Sequence, residues 1–166
     1  KMMLALEVKG LFVEGVYRKS GSTAQNKHWR AQIEARRDWE GLDFADAPIH
    51  TLAALIKAFF RELPEPLFTF PLYENFLNVA DIPDGKDRLR CLSSMVDFLP
   101  KANKALLDRL MFHLARVAHQ EEVNKMSPAN LGLVFGPCLL RRAQPAQAQQ
   151  QLEDVSRQAA CVSALV

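Results

Sequence analysis

The chain has 166 residues, 49% of them hydrophobic and 24% charged, with a formal net charge of +2. That length suffices for one domain with a sizeable core, and the composition is that of a globular protein. So small a net charge excludes nucleic-acid or membrane binding by bulk electrostatics, and no apolar run approaches the ~18–20 residues that would span a bilayer.

From the N-terminus, Lys1–Glu7 carries a charge inside a short apolar run and lacks a cleavage pattern, so it does not read as a leader. Few residues precede Gly10, and the expectation is a first helix that is cut short. Next comes Gly15-Val16-Tyr17-Arg18-Lys19-Ser20-Gly21, a short polar loop bracketed by glycines. An arginine here projects from a constrained loop. Its planar fork of donors suits a phosphate, although a surface arginine in a turn is an equally physical reading of these residues alone. Ser22 with Gln25 has the form of a capping box, followed by Trp29 and Ile33 on one helical face.

Glu34–His50 has mixed charge, Gly41 and Pro48, and reads as a long connection. In Thr51–Leu63, the residues Leu52, Leu55, Ile56, Phe59 and Leu63 recur at helical spacing until Pro64 ends the helix. Lys57 and Arg61 fall on the opposite side, where they make either a solvated face or a contact for an acidic partner. Pro64–Pro71 is too rich in proline for a helix.

Leu89, Leu92, Val96 and Leu99 repeat the periodicity, with Asp84 as cap and Pro100 as stop. Leu106, Leu107, Leu110, Met111, Leu114 and Val117 form a longer stripe that Asn103 would open. Ser127-Pro128 is a cap followed by proline at the first helical position, and Asn130 lies in that first turn. Its amide is either a helix-start device or a group presented at a surface. The low-complexity run Ala143–Gln151 reads as a linker, before a last helix bearing Leu152, Val155, Ala159, Val162 and Val166. Period-2 alternation is absent, which predicts an all-α single-domain bundle of about seven or eight helices.

Cys91, Cys138 and Cys161 lie far apart without a CxxC pair, so free buried thiols in a reducing setting are expected rather than disulfides or zinc. The histidines His28, His50, His113 and His119 are scattered and default to packing or surface roles. No Walker, GxGxxG, HExxH or GxSxG signature is present. If the domain acts on a nucleotide, another protein must hold it.

Three segments taken together, EGVYRKSGS (Glu14–Ser22), LIKAFFRELPEPLFTF (Leu55–Phe70) and NKMSPANLGLVFGPCLLR (Asn124–Arg141), resemble hallmark blocks of the RhoGAP family in order and spacing. The helix around Leu106–Val117 resembles that family's long central helix, so the likeness covers nearly all of residues 1–166. YRKSGS, PIHTLAAL and GPCLLR are most similar to the RhoGAP domain of class IX unconventional myosins, whereas Asn130 follows the general family. The resemblance implies an activator in which Arg18 is a catalytic arginine finger. Lys57 and Arg61 would be a basic pair that supports the finger loop and contacts the GTPase, and Asn130 an interface residue. Gly15, Tyr17, Ser20 and Gly21 would support the loop, and Pro64–Pro66 would be scaffold.

The resemblance also implies a GTP-bound Rho-family GTPase as partner, Rho ahead of Rac and Cdc42. GTP and Mg²⁺ would be bound by that partner, with no cofactor on this chain. A monomeric domain is expected, cytoplasmic or cytoskeleton-associated, without nucleic-acid binding or membrane insertion. The rival readings are a non-catalytic Rho-GTPase-binding scaffold of the same fold, and a helical adaptor unrelated to GTPases.

Overall fold

The computed structural model describes residues 1–36, 41–144 and 147–166. Residues 37–40 of the predicted connection and residues 145–146 of the predicted linker lie outside the described residues. Among the described residues the chain forms nine helices and no strands: α1 (Met2–Lys9), α2 (Thr23–Glu34), α3 (Ile49–Arg61), α4 (Tyr73–Ala80), α5 (Gly85–Val96), α6 (Lys101–Ala118), α7 (Glu121–Asn124), α8 (Pro128–Leu139) and α9 (Ala148–Leu165). The all-α expectation holds. The count exceeds seven or eight because α7 is a single turn, which leaves no periodicity to read.

Two helix starts, those of α5 and α8, carry the side-chain caps expected of them. The Asp84 carboxylate accepts from the amides of Lys86 and Asp87, and the Ser127 hydroxyl accepts from the Asn130 amide. Two expected caps differ. Ser22 occupies the N-cap of α2 with extended backbone, but its side chain makes no capping bond. Asn103 is not a cap, because α6 starts from Pro100 in extended conformation. The Asn103 amide instead donates to the Leu67 carbonyl at 2.9 Å, bracing the proline-rich corner. At the other end, α9 begins at Ala148, inside the predicted linker. Alanine and glutamine are good helix formers, and low complexity did not prevent a helix here.

The core centres on α8, which packs against α3, α6 and most extensively α9, with α1, α4 and α5 around them. Leu52, Ile56, Phe60, Leu110, Leu114, Leu131 and Phe135 are all buried there, each such side chain contributing roughly 1.5–3 kcal/mol. Phe59, assigned by its spacing to the buried stripe, is 47% exposed, while Phe60 is 1% exposed. Phe59 rims a shallow groove between α2 and α3 with Arg30, Ile33 and Glu62, and the core closes over Phe60. Leu89 and Leu152 also stay exposed, and Cys91 is half-buried, whereas Cys138 and Cys161 are buried free thiols.

α8 and α9 approach so closely that a Cβ on Gly132 would stand 2.4 Å from the Ala159 carbonyl oxygen, and one on Gly136 would stand 2.9 Å from the Ala159 nitrogen. Residues four apart share a helix face, so this glycine pair gives α8 a flat strip for its neighbour. Docked this way, α8 presents its N-terminal end, with Ser127 and Asn130, beside the loop that follows α1.

Candidate functional site

The loop between α1 and α2 is held from beneath by its own burial pattern. Val16 and Tyr17 are wholly buried, and the next three residues, Arg18, Lys19 and Ser20, are exposed. The Gly15 carbonyl accepts from both the Arg18 and Lys19 amides, at 2.9 and 2.8 Å. Gly15 has φ +70°, and a Cβ there would meet the Lys19 side chain at 2.8 Å. A side chain there would strain the backbone and displace Lys19, and glycine avoids both. Gly21 is needed for a different reason, since a Cβ would lie 2.9 Å from backbone atoms of His50 and Thr51 at the start of α3.

Tyr17 takes φ +70° although it is not glycine, a conformation that costs an L-residue roughly 1–2 kcal/mol. Its ring packs edge-on against Phe135, with centroids 4.8 Å apart. Its hydroxyl lies 2.5 Å from His113 Nε2, and His113 Nδ1 lies 2.7 Å from Glu7 Oε1. A carboxylate only accepts, so Nδ1 carries the imidazole proton and the bare Nε2 accepts from the tyrosine hydroxyl. Arg109 and Arg116 donate to the two oxygens of Glu7 at 2.8 and 3.0 Å. Burial and the Glu7 charge push the Tyr17 hydroxyl well above its ordinary pKa, so it stays a donor.

Lys57 is not on the wet side of α3, contrary to the helical-wheel expectation. It is half-buried, and its ammonium donates to the Tyr17 carbonyl at 2.6 Å. The lysine reaches across from the helix to hold the peptide that leads into Arg18. Burial, with the nearby Arg61 charge, pushes its pKa down. Arg61 is exposed as expected, and its guanidinium has no hydrogen bond or ion pair among the described residues. The Arg61 carbonyl accepts from Arg141. That arginine also donates to the carbonyls of Leu63 and Pro64, closing the C-terminus of α3.

The structure brings Arg18 and Asn130 together. Both line an open depression with Glu121, Glu122, Lys125 and Ser127. Asn130 donates from Nδ2 to the Lys125 carbonyl at 3.1 Å, and its Oδ1 has no donor among the described residues. The Arg18 guanidinium forms no ion pair with either glutamate or with any other described residue. Glu14 lies close by but is paired with Lys19 at 3.0 Å. The Ser20 hydroxyl has no hydrogen-bond partner among the described residues, so its expected support of the loop has no visible contact behind it.

Four residues in this arrangement escaped the sequence reading: Glu7, His113, Asn124 and Arg141. Asn124 is wholly buried. Its amide donates to the Leu11 and Val117 carbonyls, and its Oδ1 accepts from the Met126 amide. Its backbone carbonyl accepts from the Gly15 amide, so one residue stitches the loop to α6 and to the segment that leads into α8. Glu7 and His113 did leave a signal, each being polar at an otherwise apolar position. Among the described residues no group of acids, cysteines and histidines is arranged to hold a metal ion, and no helix is long and apolar enough to cross a membrane.

An exposed arginine on a braced loop, unpaired among the described residues, thus stands beside an asparagine with an open oxygen. The sequence profile of the RhoGAP domain matches residues 1–144, and the chain belongs to the RhoGAP family. It is 39% identical to unconventional myosin-IXa of Rattus norvegicus over all 166 residues, which make up 6% of that protein. Its fold is similar to the crystal structure of the BH domain from Graf, the GTPase regulator associated with focal adhesion kinase. That likeness has a TM-score of 0.87 and 32% identity, covering 99% of this chain and 86% of that one. Human Rho GTPase activating protein 15 is similar in the same way, with a TM-score of 0.84 and 32% identity over 99% of this chain and 77% of the other. Membership of this family supports a Rho-GTPase-activating or Rho-GTPase-binding function.

Proposed function

We propose that this chain is a GTPase-activating domain that docks on a GTP-loaded Rho-type GTPase and inserts Arg18 into its active site. The observation that carries the reading is the contrast within three consecutive residues: Val16 and Tyr17 wholly buried, Arg18 exposed and unpaired among the described residues. The GTPase holds GTP, Mg²⁺ and the attacking water. Charge accumulates on the transferring phosphoryl group, and a guanidinium delivered in trans compensates it. An arginine of this kind is worth about 10³–10⁵ in rate, or ~4–7 kcal/mol of transition-state stabilisation.

In this reading Lys57 holds the loop from behind, Arg61 offers a free charge to acidic surface on the partner, and Asn130 contacts the GTPase near the nucleotide. The domain is an enzyme activator with no nucleotide site of its own. The likeness to a class IX myosin supports Rho as the preferred partner ahead of Rac and Cdc42, and a cytoskeletal location for the parent protein.

The test is single-turnover GTP hydrolysis by Rho, Rac and Cdc42, with and without the domain and its Arg18→Ala variant. Strong acceleration that disappears with Arg18 is the expected result. A folded domain that binds GTP-loaded Rho without accelerating hydrolysis would instead be a non-catalytic scaffold.

A further inference from the structure

Tyr17 is the residue on which the loop turns, and it is in the wrong conformation for its type. A strained backbone persists where its surroundings over-determine it. Tyr17 is fixed at both ends: Lys57 takes its carbonyl at 2.6 Å, and His113 takes its hydroxyl at 2.5 Å. His113 is in turn held by Glu7 at 2.7 Å, and Glu7 is fixed by Arg109 and Arg116. The chain of bonds runs from α1 and α6, through the core, to the peptide that launches Arg18. Hydrophobic packing alone would bury a phenylalanine as well as a tyrosine at this position. The hydroxyl is therefore not needed for burial, and its buried, directional partner is an added constraint.

We propose that Glu7 and His113 are positioning residues: through the Tyr17 hydroxyl they lock Tyr17 in its left-handed conformation and so set the direction in which Arg18 leaves the loop. Tyr17, His113 and Glu7 are all buried, so loss of the bonds between them acts on the loop's geometry and leaves the exposed docking surface in place. The consequence for catalysis rests on the finger reading above, whereas the consequence for the loop does not.

Tyr17→Phe tests it, because the ring and its contact with Phe135 remain while the hydroxyl goes. Two local readouts apply to the free domain: the three-bond amide–Hα coupling of Tyr17, which reports φ, and hydrogen exchange at the Arg18 and Lys19 amides, both bonded to the Gly15 carbonyl. The expected result is a changed coupling and at least ~10-fold faster exchange at those amides, a local opening beyond the global stability change. With GTP-loaded Rho, the maximal single-turnover rate falls at least ~10-fold while the half-saturating domain concentration moves less than ~2-fold.

Glu7→Gln, which keeps an oxygen for His113 Nδ1–H, retains more of both readouts than Glu7→Ala. Should Tyr17→Phe fail to fold, the glutamate pair carries the same measurements. Unchanged coupling and exchange in a folded variant overturn the proposal, whatever Arg18 does. If Arg18→Ala accelerates hydrolysis like the native domain, the finger reading falls, and the coupling and exchange still decide the positioning claim.

Discussion

The molecule contains two corners in which a tyrosine hydroxyl is tied to an acid, directly at Tyr73 and through His113 at Tyr17, with arginines close by, and they use their arginines in opposite ways. Where α4, α8 and α9 meet, the Tyr73 hydroxyl donates to Asp154 at 2.8 Å and accepts from Gln158 Nε2 at 2.8 Å. Arg142 also donates to Asp154, at 2.7 Å, and to Glu74. Arg157 is paired with Asp81 and bonded to Asn78. Both of these guanidinium groups are paired with carboxylates of the fold. In the loop corner, Glu7 is taken up by Arg109, Arg116 and His113 behind Tyr17, so that acid does not neutralise Arg18. The comparison separates a cation that holds the protein together from one held out for something else. Whether a carboxylate of the fold is paired with the guanidinium distinguishes them, and residue type does not.

The sharpest way to break this comparison is to remove one arginine from each corner. Arg18→Ala should abolish at least ~10³ of the acceleration and change stability by no more than ~0.5 kcal/mol, since the side chain is exposed and unpaired. Arg142→Ala should do the reverse. It leaves Asp154, 4% exposed, without its main partner, at a cost of about 3 kcal/mol, or roughly 6–12 °C in Tm. Acceleration per folded molecule should be unchanged. Paired thermal melts and hydrolysis assays check both, and equal effects of the two variants on Tm would dissolve the distinction.

A smaller effect is expected from Lys57→Met, which retains the aliphatic stem on α3 and removes the donor to the Tyr17 carbonyl. A charged donor to a partly buried carbonyl is worth about 1.5–3 kcal/mol, so Tm should drop by several degrees. Misplacement of the loop should lower the maximal rate by up to ~10². If Lys57 also meets acidic surface on the GTPase, association weakens too, and more so at low salt. A variant that binds less tightly yet turns over at full rate would place Lys57 in the interface and outside the loop's support.

The sequence drew attention to Arg18, Gly15, Gly21 and Asn130 because each sits where local chemistry is unusual: a bracketed loop, a helix start. It misplaced Lys57, because a helical wheel knows only which side of α3 is apolar. The tight approach of the α1–α2 loop to α3, visible at Gly21, is a tertiary fact. The same limit explains Phe59, which lies on the apolar arc but over a groove that α2 leaves partly open. Glu7, His113 and Asn124 could be noticed as polar residues among apolar ones. Their partners lie 106 residues apart for Glu7 and His113, and 113 apart for Asn124 and Leu11, beyond any periodicity. Arg141 closes the end of α3 from 80 residues away, and only the packing of α8 shows why it is there.

The smallest expected effect, and the one that compares the corners most directly, is their order of failure in acid. His113 faces Glu7 from α1, Tyr17 from the loop, and Arg109 and Arg116 on its own helix. Burial pushes its imidazole below the ordinary 6.5; the Glu7 bond pulls the other way, and the two arginines add to the lowering. Burial alone would raise the Glu7 carboxyl, yet the bonds from Arg109 and His113 hold it below 4.5. Asp154 is likewise raised by burial but held below 3.8 by Arg142 and Tyr73. All three pKa values are depressed on folding, so below each ordinary value the unfolded chain binds more protons and stability falls with pH. The His113 contribution is intact above 6.5 and is lost as pH drops through its lower folded value; Glu7 follows below 4.5, and Asp154 only below 3.8. The loop corner should therefore loosen first, with lower protection factors at the Arg18 and Lys19 amides as pH falls below 6.5, while the amides of α9 around Asp154 stay protected. His113→Gln should flatten that first part of the stability curve, and Asp154→Asn should leave it untouched. Simultaneous loss of protection in both corners would mean that the domain titrates as one cooperative unit and that the two tyrosine networks are not separate devices.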